Sequence, residues 1–156
     1  MTEDGTVYFC TVKAIYQLQS DQIQVHRLSG YPWGFPFYVR NTLYVPVPEK
    51  GLYELHAGKM ALVPNSGILK GLTITGMLPH PEAGILLVSE QGKMFAYDGY
   101  SHFKVWQLPI SPFLEASRVN MVMSFSSGLA FGTAHNGLLL TDKDGTPRQH
   151  LNIDKG

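Results

Sequence analysis

Six histidines are the first residues in this 156-residue sequence that could ligate a metal or move a proton. They stand at His26, His56, His80, His102, His135 and His150, with no two of them four apart and no cysteine partner at zinc-site spacing. Turn or surface placement accounts for imidazoles scattered in this way, and no metal or other cofactor is expected. Nucleophilic chemistry has no better footing: there is no Gly-x-Ser-x-Gly elbow, no His-Glu-x-x-His and no glycine-rich phosphate loop. The acidic residues Glu49, Asp98, Asp142 and Asp144 lie among turn formers, where solvated turn chemistry explains them. A fold could still bring two carboxylates together, so a hydrolytic site stays open, but no catalytic residue is expected. Recognition chemistry is better represented. Tyr31, Trp33 and Phe35 put three rings within five residues, and hydrogen-bonding side chains stand at Lys13, Glu49, Lys50, Glu90, His135 and Asn136. Rings pack on the C–H face of a sugar while polar groups engage its hydroxyls, which makes an oligosaccharide one ligand for such a set. The other reading of Tyr31-Pro-Trp-Gly-Phe35 is packing between structural units.

Composition limits the elements that can position these residues. The chain is 44% hydrophobic and 15% charged, enough apolar surface for a core. Its 16 glycines and 10 prolines would interrupt helices every few residues, which points to an all-β chain with many turns. Twelve basic against twelve acidic residues leave no net charge, so no direct contact with nucleic acid or an anionic membrane is expected. No apolar run approaches the roughly 18 to 20 residues that span a bilayer. The start, Met1-Thr2-Glu3-Asp4-Gly5, is polar and acidic, and no export signal is expected in it. The lone Cys10 reads as a small buried residue on a strand.

Four segments superpose as one repeat. Val7, Leu43, Ile85 and Leu129 each open a short apolar strand, followed by a small turn and a second strand at Ala14–Leu18, Gly51–Leu55, Lys93–Tyr97 and Gly137–Thr141. Third strands are expected at Gln22–Leu28, Lys59–Val63, Phe103–Leu108 and Pro147–Leu151, with Trp106 packing between units. Ser20-Asp21, Ala57-Gly58, Asp98-Gly99 and Asp144-Gly145 supply the turns before them. Spacings of 36, 42 and 44 residues between anchors, with three or four short strands per copy, are the signature of β-propeller blades. Innermost strands are available at Phe35–Arg40, Leu72–Leu78 and Arg118–Phe125, and none precedes Val7.

The expectation is an all-β partial β-propeller of about four blades: three complete four-stranded antiparallel blades plus one incomplete N-terminal blade. The blades fall at about 1–29, 30–66, 67–109 and 110–156 of a single partial propeller. Natural propellers close into rings, so the chain is expected to be part of something longer. In this plan the loops leading into the innermost strand and those between the second and third strands share a face. That face would collect Tyr31, Trp33, Phe35, Lys13, Glu49, Lys50, Glu90, His135 and Asn136.

Residues Gly128 to Asn152 (GLAFGTAHNGLLLTDKDGTPRQHLN), followed by Asp154 to Gly156, resemble the repeat of two-component regulator propellers. Phe35–Val45, Lys50–Leu55 and Met77–Pro79 are similar to the same proteins, in particular those with a triple-tyrosine domain after the propeller. Ala130 stands where the family often has tryptophan, and Cys10-Thr11 replaces the usual Gly-Thr. Pro46 and Pro48 predict an edge, bulge or widened loop. The resemblance implies a non-catalytic, periplasmic ligand-sensing module of a membrane-anchored bacterial regulator of Bacteroidetes type. It would sense a carbohydrate, touch the membrane only through other parts of the parent, and signal to a kinase or transcription-regulating output. The remaining blades of the parent, and a second copy in a homodimer, are the implied protein partners. Two alternatives stand beside it: a propeller scaffold for protein or self-association, and a propeller lyase or glycosidase.

Overall fold

Tight turns cut the chain into antiparallel hairpins. The computed structural model describes residues 5–27 and 35–153. Among them fifteen strands form four antiparallel sheets, one of three strands and three of four, each a simple meander. The chain divides into two compact units, residues 1–71 and 72–156. No helix among the described residues is long and apolar enough to cross a membrane.

The first unit holds two sheets. β1 (Val7–Cys10), β2 (Ala14–Gln19) and β3 (Gln22–Arg27) form one; β4 (Phe37–Val39), β5 (Thr42–Val47), β6 (Gly51–His56) and β7 (Lys59–Leu62) form the other. Three of their hairpins close with two residues at positive φ: Ser20-Asp21 at 47° and 62°, Arg40-Asn41 at 49° and 60°, and Ala57-Gly58 at 48° and 74°. That mirror-image turn matches the twist of the flanking strands, and the pairing energy outweighs the strain at Ser20, Arg40 and Ala57. Ile15, Leu43, Val45, Val47 and Leu55 form the core, with Tyr8, Cys10, Tyr53 and Met60 packed around it. Cys10 lies on its strand as expected but is half-buried, and that burial pushes its thiol up.

Pro46 does not interrupt its strand. β5 pairs with β6 without a shift from Leu43 to Val47, and Pro46 faces Leu52. The missing N–H is harmless because β4 pairs only with Thr42 to Tyr44, so no ladder donor is needed from Pro46 on that side. Pro48 falls in the turn after the strand.

The second unit repeats the plan. β8 (Ile74–His80), β9 (Gly84–Ser89), β10 (Met94–Tyr97) and β11 (Phe103–Val105) form the third sheet. A five-residue helix, α1 (Ser111–Glu115), leads to β12 (Val119–Phe125), β13 (Gly128–Thr133), β14 (Leu138–Asp142) and β15 (Pro147–Leu151), which form the fourth. Leu86, Val88 and Met94 of the third sheet pack with Val122, Leu129 and Phe131 of the fourth, and Leu114 of α1 joins the cluster.

His80 departs from the turn or surface placement expected of the histidines. His80 is buried: its Nε2 lies 2.9 Å from the Lys143 carbonyl, and its Nδ1 accepts the Ala83 N–H at 3.1 Å. Its imidazole ties the end of β8 to the β14–β15 turn, a demand set by packing that no spacing reveals. Trp106 lies just past β11 and not inside an outer strand, but it packs, as expected, against the cluster shared by the third and fourth sheets, and its backbone N–H donates to the Met94 carbonyl at 2.9 Å.

The Asp98 turn gives a pH prediction. Its carboxylate accepts the N–H groups of Tyr100, Ser101 and His102 at 2.8, 3.0 and 3.1 Å and meets the His102 ring at 2.9 Å. Slight desolvation pushes its pKa up, but these hydrogen bonds outweigh it and hold the carboxyl well below the usual carboxylate range. The stabilisation is therefore full above the unfolded aspartate value of about 4 and is lost as pH falls through the lower folded value. Hydrogen-exchange protection factors at Tyr100–His102 should fall in acid, and Asp98→Ala should abolish that dependence; unchanged protection in the variant would refute the role.

Candidate functional site

Three segments of the second unit meet at one end of its sheets: the β9–β10 connection, the loop between α1 and β12, and the β13–β14 connection. Backbone bonds stitch them together. Val119 N–H donates to the Glu90 carbonyl at 2.9 Å, and Ala134 N–H donates to the Arg118 carbonyl at 2.7 Å. Glu90 is thereby set opposite Arg118, and Arg118 opposite the turn that carries His135.

Local sequence explains each segment. Pro112, whose missing N–H costs nothing in a first helical turn, helps start α1. The Ser111 hydroxyl accepts the Leu108 N–H at 2.9 Å, and buried Leu114 anchors the helix. In the β13–β14 turn, Thr133 Oγ1 donates to the Gly137 carbonyl and accepts the Asn136 N–H, both at 2.9 Å. The Asn136 side-chain amide then donates to Ser117 Oγ at 2.6 Å. His150 supports this turn from β15, with Nε2 at 2.5 Å from the Asn136 carbonyl and its ring edge-to-face with Phe113.

The result is an open cleft of about 430 Å³ lined by Glu90, Gln91, Glu115, Ser117, Arg118 and His135. Arg118 Nε donates to Glu90 Oε1 at 2.5 Å. The ion pair fixes both heads while leaving the remaining guanidinium N–H groups and carboxylate lone pairs for a ligand. Both acids and the arginine stand beside an amide, a hydroxyl and an imidazole, so the cleft offers donors and acceptors in a small space. Among the described residues its lining includes no Phe, Tyr or Trp. Among the described residues no group of three or more His, Cys, Asp or Glu side chains is placed to hold a metal.

Of the residues nominated from sequence, Glu90, His135 and Asn136 come together here. Phe35 is exposed ahead of β4, Lys13 lies in the β1–β2 turn, and Glu49 and Lys50 form the β5–β6 turn, all in the first unit. Tyr31 and Trp33 lie outside the described residues. Sequence reasoning missed Gln91, Glu115, Ser117 and Arg118. The available signal was position, since a charged residue immediately before an innermost strand projects from the same face as the connection between second and third strands.

The first unit has its own groove, of about 310 Å³, lined by Tyr8, Gln17, Tyr38, Asn41, Leu55 and Ala57. The two tyrosine rings lie 6.1 Å apart at 31°. Gln17 Oε1 lies 3.1 Å from His26 Nε2, which orients that amide.

No family model matches the sequence, and no curated protein matches it. Solved structures do share the fold. BBS1N, crystallised in complex with ARL6DN, aligns with a TM-score of 0.62 and 14% identity over 95% of this chain and 51% of that one. YCF48, solved bound to a D1 peptide, aligns with a TM-score of 0.58 and 13% identity over 99% of this chain and 52% of that one. The chain spans about half the length of these structures. Identity this low speaks to architecture alone, and the architecture is that of β-propeller blades.

Proposed function

We propose that this chain is a non-catalytic recognition module that holds a peptide segment of a partner protein in the cleft over Glu90, Arg118 and His135. The observation that carries this reading is the convergence of an ion pair, an amide, a hydroxyl and an imidazole on one open cleft whose described lining has no Phe, Tyr or Trp. A peptide presents backbone amides and charged side chains that can pair with these groups, and the cleft's polarity favours it over an apolar ligand. BBS1N with ARL6DN and YCF48 with a D1 peptide are examples of this fold engaging protein partners. The test is selection of peptides from a displayed library on the whole chain, followed by titration of the best binder. Arg118→Ala should weaken it roughly tenfold or more, the loss of about one charge-assisted hydrogen bond. Binding unaffected by Arg118→Ala and by Glu90→Gln would overturn the reading.

A second reading is carried by the tyrosine groove of the first unit. Two rings and two side-chain amides suit a saccharide, and the likeness of residues 128–152 to regulator propellers favours a periplasmic carbohydrate sensor of a membrane-anchored signalling protein. In the same titration format, an oligosaccharide that binds the chain and is lost with Tyr38→Ala selects this reading instead.

A further inference from the structure

We propose that the segment held in the cleft over Glu90, Arg118 and His135 carries a lysine or arginine whose side chain pairs with Glu115; the proposal rests on the peptide reading and adds the charge the peptide must bring. Three side chains with carboxylate or guanidinium groups line the cleft: Glu90, Glu115 and Arg118. Arg118 gives its guanidinium to Glu90, 28 positions before it, and those two charges cancel. Glu115 stands nearer to Arg118 in sequence but makes no ion pair among the described residues. Lys93, on the same connection as Glu90 and Gln91, is not part of the lining among the described residues. The cleft therefore keeps one negative charge that its own lining does not balance. That imbalance is local, since the chain as a whole has 12 basic and 12 acidic residues. Its complement in a ligand is a cation.

The backbone under this carboxylate is held on both sides. Glu115 is the last residue of α1, and the two N–H groups that follow it fold back on the helix: Ala116 N–H donates to the Pro112 carbonyl at 3.2 Å and Ser117 N–H to the Leu114 carbonyl at 3.0 Å. From the other side Gly92 packs so closely that a Cβ there would lie 2.5 Å from the Glu115 nitrogen. A backbone fixed in advance adds no ordering cost when a ligand arrives, so only the side chains have to be immobilised. Glu115 is exposed, and a cation reaches it without a buried charge having to be uncovered.

Ser117, two residues further on, supplies a second contact. It is buried at 3% exposure, and its hydroxyl accepts the Asn136 side-chain amide at 2.6 Å. The hydroxyl's own proton has no acceptor among the described residues, although a buried donor needs one. Ser117 lines the cleft with Glu115, so a ligand can fill both needs at once. A basic residue within a peptide carries the two groups together, a cation on its side chain and a carbonyl on its backbone.

The test pans three pools of displayed peptides on the whole chain, with the central residue fixed as Lys, Glu or Gln and no charged residue elsewhere. The Lys pool should be enriched over the other two. For its best binder, Lys→Gln in the peptide and Glu115→Gln in the chain should each weaken binding about two- to fivefold, the size of an exposed ion pair. Both changes together should weaken it no more than either alone, because they remove the same contact. Glu115→Lys should turn the preference to the Glu pool, and circular dichroism checks that each variant keeps its sheets. Enrichment of the Gln or Glu pool on the unmodified chain, or losses that multiply when the two changes are combined, overturns the proposal. If the binder so obtained is still weakened by Arg118→Ala, the peptide reading survives that failure; if no pool yields a binder, both fall.

Discussion

Phe131→Ala will lower the free energy of unfolding by about 3–5 kcal/mol, the range for removing a fully buried ring from a packed core. Phe131 is completely excluded from solvent, on a strand flanked on both sides, paired with Val122 on β12 and Leu139 on β14. Its ring belongs to the cluster that joins the third and fourth sheets, so the cavity is walled by two sheets whose strands are held by ladders and cannot close on it. The loss will appear in the urea transition that reports the second unit. Leu138→Ala on the neighbouring strand, at a partly exposed position, should cost well under half as much. A Phe131→Ala shift below about 1 kcal/mol would mean that the two sheets do not share a packed core.

Gly92→Ala will have an effect nearly as large and will also damage the cleft. Gly92 sits at φ 77° in the β9–β10 connection, and a Cβ there would lie 2.1 Å from the Leu114 carbonyl oxygen and 2.5 Å from the Glu115 nitrogen. Neither side can give way easily, because Leu114 is fully buried and the turn is held by Gly92 N–H donating to the Ser89 carbonyl at 2.9 Å. Backbone strain together with the displaced helix end should cost about 2–4 kcal/mol. Glu90 and Gln91 lie on one side of this contact and Glu115 on the other, so peptide affinity should fall with stability. Gly99→Ala separates the two contributions: its φ is 93° but open space surrounds it, so only the conformational cost of about 1 kcal/mol should remain. Equal melting-temperature losses for the two variants would contradict the steric account.

The blade plan was readable because turn chemistry and strand alternation repeat. The four anchors all lie on strands, and three sheets have an innermost strand where a candidate segment stood, while the first has none among the described residues. Elements that break the repeat were not readable. α1 is too short to show a helical period, and Pro112 after Ser111 was its only mark. Pro46 read as a disruption because its effect depends on how far the neighbouring strand extends, a tertiary fact. The cleft was half legible. Topology placed Glu90, His135 and Asn136 on one face, but the pairing of Glu90 with Arg118 joins residues 28 apart and depends on how the two sheets align. Of the expected aromatic set, Phe35 lies in the first unit, and Tyr31 and Trp33 lie outside the described residues; the described lining of the cleft is polar, and that polarity is what favours a peptide there.

The most direct test of recognition at this cleft is a backbone-amide chemical-shift titration of the whole chain with the peptide selected from the displayed library. Perturbed amides should concentrate at residues 90–92, 115–118 and 133–137, and Arg118→Ala should suppress them. Perturbations centred on Tyr8, Gln17 and Tyr38, or spread over the surface without focus at Glu90 and Arg118, would contradict recognition there.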